Sequence, residues 1–158
     1  MRPHRTIGYG VNLQGGRFGG GNFEGMSLPG ENFAGADFNG SNLNQTNLEE
    51  ANLERVSLNQ ATLIGANLIG ANLIGANLTY ADLEGTNLEG AKLKGAKLKG
   101  AKLKGAKLKG VDLGGAKLRG VDLRGVDLRE ASLNGANLNE AKWDESTVWP
   151  EGFTPPEQ

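Results

Sequence analysis

Every fifth residue from Leu13 to Trp143 is large and apolar, and the run is unbroken over 27 positions. These centre positions hold 22 Leu, four Phe (Phe18, Phe23, Phe33, Phe38) and Trp143. Two residues before each centre the side chain is small, with 15 Ala and five Val among the 27. The residue between them is mostly Asn, Asp or Lys. Two residues after the centre stands Gly, in 19 of 27 cases. The unit reads A-(N/D/K)-L-x-G, as in Ala66-Asn67-Leu68-Ile69-Gly70.

A period of five matches neither the 3.6 residues of a helical turn nor the two of a strand. It does match a short strand that turns a corner in every repeat. The small residue and the centre lie two apart, so on extended backbone both face the same way and the residue between them faces out. Because five is odd, straight continuation would invert the next centre, so a turn must restore the phase. Gly at the fifth position supplies the positive φ of a type II turn. Pro29-Gly30 is the strongest local instance. A chain that turns the same way every five residues winds into a coil with Leu and Ala inside, and successive coils pair as parallel strands.

The pattern resembles the pentapeptide repeat family over residues 11–145. The resemblance implies an all-β chain: a right-handed, four-sided parallel β-helix with 20 residues per coil. About seven coils would form a rod of roughly 30 Å at the parallel-strand spacing. The expected organisation is an N-terminal arm or cap over residues 1–10, the β-helix over 11–145, and a C-terminal cap and tail over 146–158. Charge supports four sides over three. In a 20-residue register Lys102 lies between Asp82 and Asp122, Lys92 on Asp112, Lys107 on Asp127, and Lys104 and Lys109 on Glu84 and Glu89. Lys97 on Lys117 and Lys104 on Arg124 remain like-charged.

The repeat also explains a composition that otherwise borders on disorder. Gly supplies 26 of 158 residues, and Leu, Ile, Val and Phe together supply only 37. Each repeat needs one corner, one Leu and one small inward residue. There is no Cys and one His, His4, which excludes thiol chemistry, disulfides, zinc–thiolate sites and His-based triads. No cofactor and no metal is expected. No apolar run is long enough to span a membrane, and MRPHRTIGYG carries basic charge without an apolar stretch, so a cytoplasmic location is expected. The family resemblance implies a bacterial source.

Departures from the repeat carry what functional information there is. Gly16 and Gly21 precede Phe18 and Phe23, which reads as volume compensation in a core. Glu31 falls at an inward position; the expectation is a bulge after Pro29-Gly30 that lets the side chain reach solvent, with a paired or ligand-contacting carboxylate as the alternative. Gln45, Glu50, Arg55 and Gln60 replace Gly at four successive corners, for which a different turn type is expected. Ile64, Ile69 and Ile74 form an outward ring over three adjacent sides and are one candidate contact surface.

Residues 92–129 carry a net +9, between segments of −5 on either side, so the net charge of −1 hides a basic belt. Lys94, Lys99, Lys104, Lys109, Arg119, Arg124 and Arg129 are the second candidate surface. The belt's lysines circle the rod and no aromatics interleave, which argues against specific nucleic-acid binding. At the ends, Val148 and Phe153 continue the centre phase past Trp143, and Trp149, Pro150, Pro155 and Pro156 are expected to close the last coil. Ile7 and Tyr9 give a thin N-terminal cap, so end-to-end dimerisation through residues 1–30 is a reasonable expectation.

A rod without a concavity makes an enzyme improbable. The leading expectation is a non-catalytic interaction or structural scaffold for an unidentified protein. The alternative is a DNA-mimicking inhibitor of DNA gyrase, as the quinolone-resistance members of the family are, and the basic belt argues against it. A third reading is a polyanion-binding belt, which predicts steep salt dependence.

Overall fold

The computed structural model describes residues 12–157. The residue before each centre pairs in parallel with the residue 20 positions later, from Asn12↔Asn32 through to Asp122↔Lys142. Four ladders result, one per side of a square coil. Side 1 runs Asn12, Asn32, Asn52, Asn72, Lys92, Asp112, Ser132; side 2 runs Arg17, Asp37, Ser57, Asn77, Lys97, Lys117, Asn137. Side 3 starts at Asn22 and ends at Lys142, and side 4 starts at Ser27 and ends at Val148. The period of five thus closes on itself after four corners. Each coil lends its N–H groups to the next, as in Leu53 N to the Asn72 carbonyl at 2.7 Å and Gly35 N to that of Glu54 at 2.8 Å.

The core is the inward set. Leu centres from Leu28 to Leu128 and their small partners are almost wholly buried. At the N-terminal end the Phe centres interlock: Phe18 stacks on Phe38 at 4.9 Å, and Phe33 meets Phe38 edge-on at 5.2 Å. A methyl group added to Gly16 would lie 2.4 Å from the Phe18 ring, and one on Gly21 would lie 2.6 Å from that of Phe23. Volume compensation is therefore what these glycines provide.

Polar inward residues are satisfied along one ladder. Thr46, Thr86 and Thr147 occupy the small position on side 4, and their hydroxyls donate to the carbonyls of Phe23 (3.0 Å), Leu63 (2.6 Å) and Leu123 (2.9 Å). Outside, Asn does two jobs: Asn52 Oδ1 accepts from Glu54 N at 3.2 Å, while its amide donates to Asn32 Oδ1 at 3.2 Å. Lys at the same position has no acceptor, so the belt strands give up this brace.

Three expectations are corrected. The corners at Gln45, Glu50, Arg55 and Gln60 do not change turn type. Their φ values of 55–58° stay left-handed, and the same bond closes them, as in Ala51 N to the Leu48 carbonyl at 3.0 Å. Beneath three of them the next coil is bare, as where Glu50 Cγ lies 3.4 Å from where a methyl on Gly70 would sit, while Gln60 stacks on Tyr80.

Glu31 does not escape to solvent. Its exposure is 0 %, and neither carboxylate oxygen has a hydrogen-bond partner among the described residues. The Leu28 carbonyl receives no bond from Glu31 N, so the corner opens slightly while the side chain stays in the core beside Phe33.

Val148 does not continue the centre phase. Asp127 pairs with Val148, 21 residues on, so one extra residue has entered the last coil. Thr147 takes the inward small position, Val148 turns out at 44 % exposure, and Trp149 takes the centre. The slip lies at Asp144, whose carbonyl accepts from Thr147 N at 3.0 Å and whose carboxylate accepts from Ser146 N at 2.9 Å. The payoff is an aromatic lid: Trp149 meets Trp143 edge-on at 5.8 Å and stacks on Phe153 at 5.2 Å.

Candidate functional site: the outer faces of the rod

All seven basic candidates, from Lys94 to Arg129, are exposed at corners, one residue after a centre. The structure does not leave them equivalent. Arg124 forks onto its neighbour Asp122, with Nε to Oδ1 at 2.9 Å and Nη2 to Oδ2 at 2.6 Å. Arg129 repeats this on Asp127. The motif is Asp-Leu-Arg, where the two polar residues flank a centre and close around the corner. Arg119 pairs with Glu140 at 2.6 Å, Lys109 with Glu130 at 3.5 Å, and Lys102 with Asp82 at 3.6 Å. Bidentate geometry adds direction to these contacts, but they sit in water and are screened.

The hydrogen bonds from Arg124 and Arg129 hold the Asp122 and Asp127 carboxyls below the usual carboxylate range. The side-chain bond from Arg119, with weaker help from Lys99, does the same for Glu140. The matching Arg groups are pushed up by the same bonds.

Carboxylates thus offset the belt on three sides. Side 1 alternates Lys92 with Asp112, side 3 has Asp82 and Asp122 around Lys102, and side 4 puts Asp127 on Lys107. Side 2 is different: Lys97 pairs with Lys117, between Asn77 and Asn137. The lysines do circle the rod as expected, one strand position per side from Lys92 to Lys107, but side 2 alone has no carboxylate among the belt's strand positions. The 20-residue register places these opposite charges and the Lys97–Lys117 pair from sequence alone; what the structure adds is the side-chain contacts of Arg124, Arg129, Arg119 and Lys109.

The Ile ring is only partly a surface. Ile64 is 41 % exposed, while Ile69 and Ile74 are half-buried, and the three lie on separate corners. A more exposed apolar residue is Tyr80, at 55 %. It occupies a corner with φ of 57°, and its ring lies over Gly100, 2.6 Å from where a methyl there would sit.

Surface pockets cluster toward the C-terminal end. One of about 540 Å³ lies between the last coil and the tail, lined by Arg124, Asn139, Glu140, Lys142, Trp143 and Pro156 among others. Another, of about 430 Å³, opens on sides 3 and 4 between Lys104, Asp122, Arg124 and Asp144. Here the coils separate: the N–H groups of Leu103, Gly105, Asp122 and Asp127 lack the backbone bonds to the adjacent coil that their counterparts make elsewhere. Val121 and Val126 stand in the inward ladders above Ala101 and Ala106 at this seam, but Val111 above Ala91 keeps its bonds, with Asp112 N to the Ala91 carbonyl at 3.0 Å. Among the described residues no group of three or more His, Asp or Glu is placed to hold a metal ion. Among them no helix is long and apolar enough to cross a membrane. Ile7 and Tyr9, the thin N-terminal cap, lie outside the described residues, as does the whole of the proposed arm over 1–10.

The chain is similar in structure to HetL, a pentapeptide repeat protein involved in heterocyst differentiation regulation from the cyanobacterium Nostoc sp. strain PCC 7120. The two are 27% identical over 88% of this chain and 81% of that one, with a TM-score of 0.57. A pentapeptide repeat protein of the Arabidopsis thaliana thylakoid lumen is 33% identical over 68% of this chain and 71% of its own, with a TM-score of 0.50. The plasmid-mediated fluoroquinolone resistance protein QnrB1 shares the fold at 21% identity, over 82% of this chain and 78% of that one, with a TM-score of 0.50. No curated protein matches the sequence. The fold is accordingly the right-handed quadrilateral β-helix of these neighbours. The family model for pentapeptide repeats, in eight copies, matches residues 9–45, 32–70, 71–110 and 106–142. With unit, register and neighbours in agreement, the chain belongs to the pentapeptide repeat family.

Proposed function

We propose that this protein is a non-catalytic interaction scaffold, a rigid rod that presents fixed columns of side chains to a protein partner. The observation that carries this reading is the ladder itself: corner and face residues of successive coils stand directly above one another in parallel pairing over the whole described rod. The interior is mostly Leu, Ala, Val and Phe and is closed to solvent, so what a partner can reach is on the outside. Similarity to HetL, described as involved in heterocyst differentiation regulation, is in keeping with a regulatory role for this chain. The same reading takes it as a cytoplasmic bacterial protein, which fractionation of the source cell tests. Gyrase mimicry finds no support in a rod whose middle carries +9 over residues 92–129, and likeness to QnrB1 at 21% identity concerns the fold alone.

The test is cross-linking followed by affinity capture from the native cell. Wild type is compared with a variant carrying Gln at Lys94, Lys99, Lys104 and Lys109, and with one carrying Ser at Ile64, Ile69 and Ile74. A partner captured by wild type and lost with either variant supports the scaffold and names its surface. Turnover of a small-molecule substrate by the purified protein would overturn it. In a supercoiling assay, micromolar protein is expected to leave gyrase unaffected.

A further inference from the structure

The belt has one side where charge is stacked without relief. On side 2, Lys97 lies directly beneath Lys117, with neutral Asn77 and Asn137 beyond them. Adjacent parallel strands are ~4.8 Å apart, so the two ammonium columns share one narrow stripe. Like charges in that position are destabilising within the rod. The two corners that border this side add to the stripe. Lys94 stands at one edge, between Ile74 and Gly114 in its column, and Lys99 at the other, between Thr79 and Arg119. Arg119 is engaged by Glu140, which Lys99 also attracts from farther away, and none of the four lysines makes a close ion pair among the described residues.

Tyr80 lies on the same corner as Lys99, and its backbone N–H donates to the Lys99 carbonyl at 2.9 Å. Its ring covers Gly100, and the next corner in the column, Gly120, meets nothing within 4 Å. An exposed aromatic ring thus heads a bare glycine channel running beside the lysine stripe. Cations in a row next to an accessible ring are the two elements that bind single-stranded nucleic acid: the lysines take the phosphates and the ring takes an unstacked base. A duplex offers the phosphates but no free base face, and an acidic peptide offers no partner for the ring.

We propose that side 2 binds single-stranded nucleic acid, through Lys94, Lys97, Lys99 and Lys117 on the phosphates and Tyr80 against a base. This surface shares Lys94 and Lys99 with the basic surface tested for the scaffold, but oligo-dT binding by the purified chain and protein capture are read separately, so either reading stands if the other fails. The test is fluorescence anisotropy of the full chain with labelled oligo-dT, labelled duplex DNA and poly-glutamate as probes. Oligo-dT is expected to bind at low salt. Four phosphate contacts predict that log K falls with log salt at a slope of about −3, at ~0.7 per contact for single strands. Lys97→Gln with Lys117→Gln should reduce that slope by about 1.4. Tyr80→Ala should weaken oligo-dT by roughly five- to hundredfold, since stacking is its contribution, and leave duplex binding unchanged. Arg124→Gln with Arg129→Gln, whose parent residues are tied to aspartates on other sides, should change nothing. Thermal melts of each variant establish that the rod remains folded. Absence of oligo-dT binding at about 50 mM salt, where such contacts are strong, overturns the proposal. So does equal competition by poly-glutamate with no effect of Tyr80→Ala, which would make side 2 a dock for an acidic protein.

Discussion

Glu31 is the place where the repeat most plainly violates its own rule. Its inward ladder continues as Ala51, Ala71 and Ala91, yet at this rung an acid with two unpartnered oxygens sits at 0 % exposure. Replacing it by Met, an unbranched side chain that adapts to irregular space, keeps bulk beside Phe33 and removes the unsatisfied oxygens. An unpaired buried polar group costs ~1–3 kcal/mol by mutational measures. Relieving it should raise the melting midpoint by about 3–10 °C for a chain of this size. Because a solenoid opens coil by coil, the gain should concentrate at the N-terminal end. Glu31→Met is therefore assayed by thermal melting and by hydrogen exchange at Phe33 and Phe38, with Glu31→Gln as the polar control of matched shape. Met is expected to slow exchange and raise the midpoint, and Gln to fall between Met and wild type. A Met variant that melts at or below wild type would refute the reasoning, because it would mean the carboxylate has a binding partner in solution.

Gly16→Ala and Gly21→Ala should each destabilise by about 1–3 kcal/mol, as overpacking does, because the new methyl meets a Phe ring at 2.4 and 2.6 Å; urea denaturation measures it. Thr86→Val should cost about 1–2 kcal/mol, read the same way, since the Leu63 carbonyl loses a buried donor at 2.6 Å. Hydrogen exchange should be faster at Leu103, Gly105, Asp122 and Asp127 than at the matching positions one and two coils earlier, where the inter-coil bonds are intact. Asp122 and Asp127 have folded pKa values below their unfolded ones, so their contribution to stability is present above the unfolded value and is lost as pH falls through the lower folded value. Acid denaturation should therefore begin at lower pH in wild type than in Arg124→Gln with Arg129→Gln, as followed by far-UV circular dichroism.

Architecture was legible in the residues because one geometric demand recurs at every unit. A centre, a small partner two residues earlier and a left-handed corner leave the chain no choice but to coil. Gly16 and Gly21 could be read as room for Phe18 and Phe23 because the ring and the missing methyl lie two residues apart on the same face. The non-Gly corners were misread because the type II turn looks dependent on Gly. In fact residues such as Gln45, Arg55 and Gln60 hold φ near 55–58°, the first two over a glycine corner and Gln60 over Tyr80. Glu31 was misread because desolvation cost alone argues for solvent, and the cost does not show that the corner lacks a way out.

The sequence by itself determined the coil, its core and its exclusion of thiol and histidine chemistry, since these depend on residue type and on spacing within five residues. Only the tertiary structure decided which charges meet. Asp122 with Arg124 and Asp127 with Arg129 close locally, but Arg119 with Glu140 and Lys109 with Glu130 join across 21 residues. Those pairings engage Lys109, Arg119, Arg124 and Arg129, while Lys97 and Lys117 on side 2 have no carboxylate stacked on them. The one-residue slip near Asp144 that brings Trp149 inward was equally invisible, because a phase counted along the chain cannot detect an insertion until neighbouring coils are laid against each other.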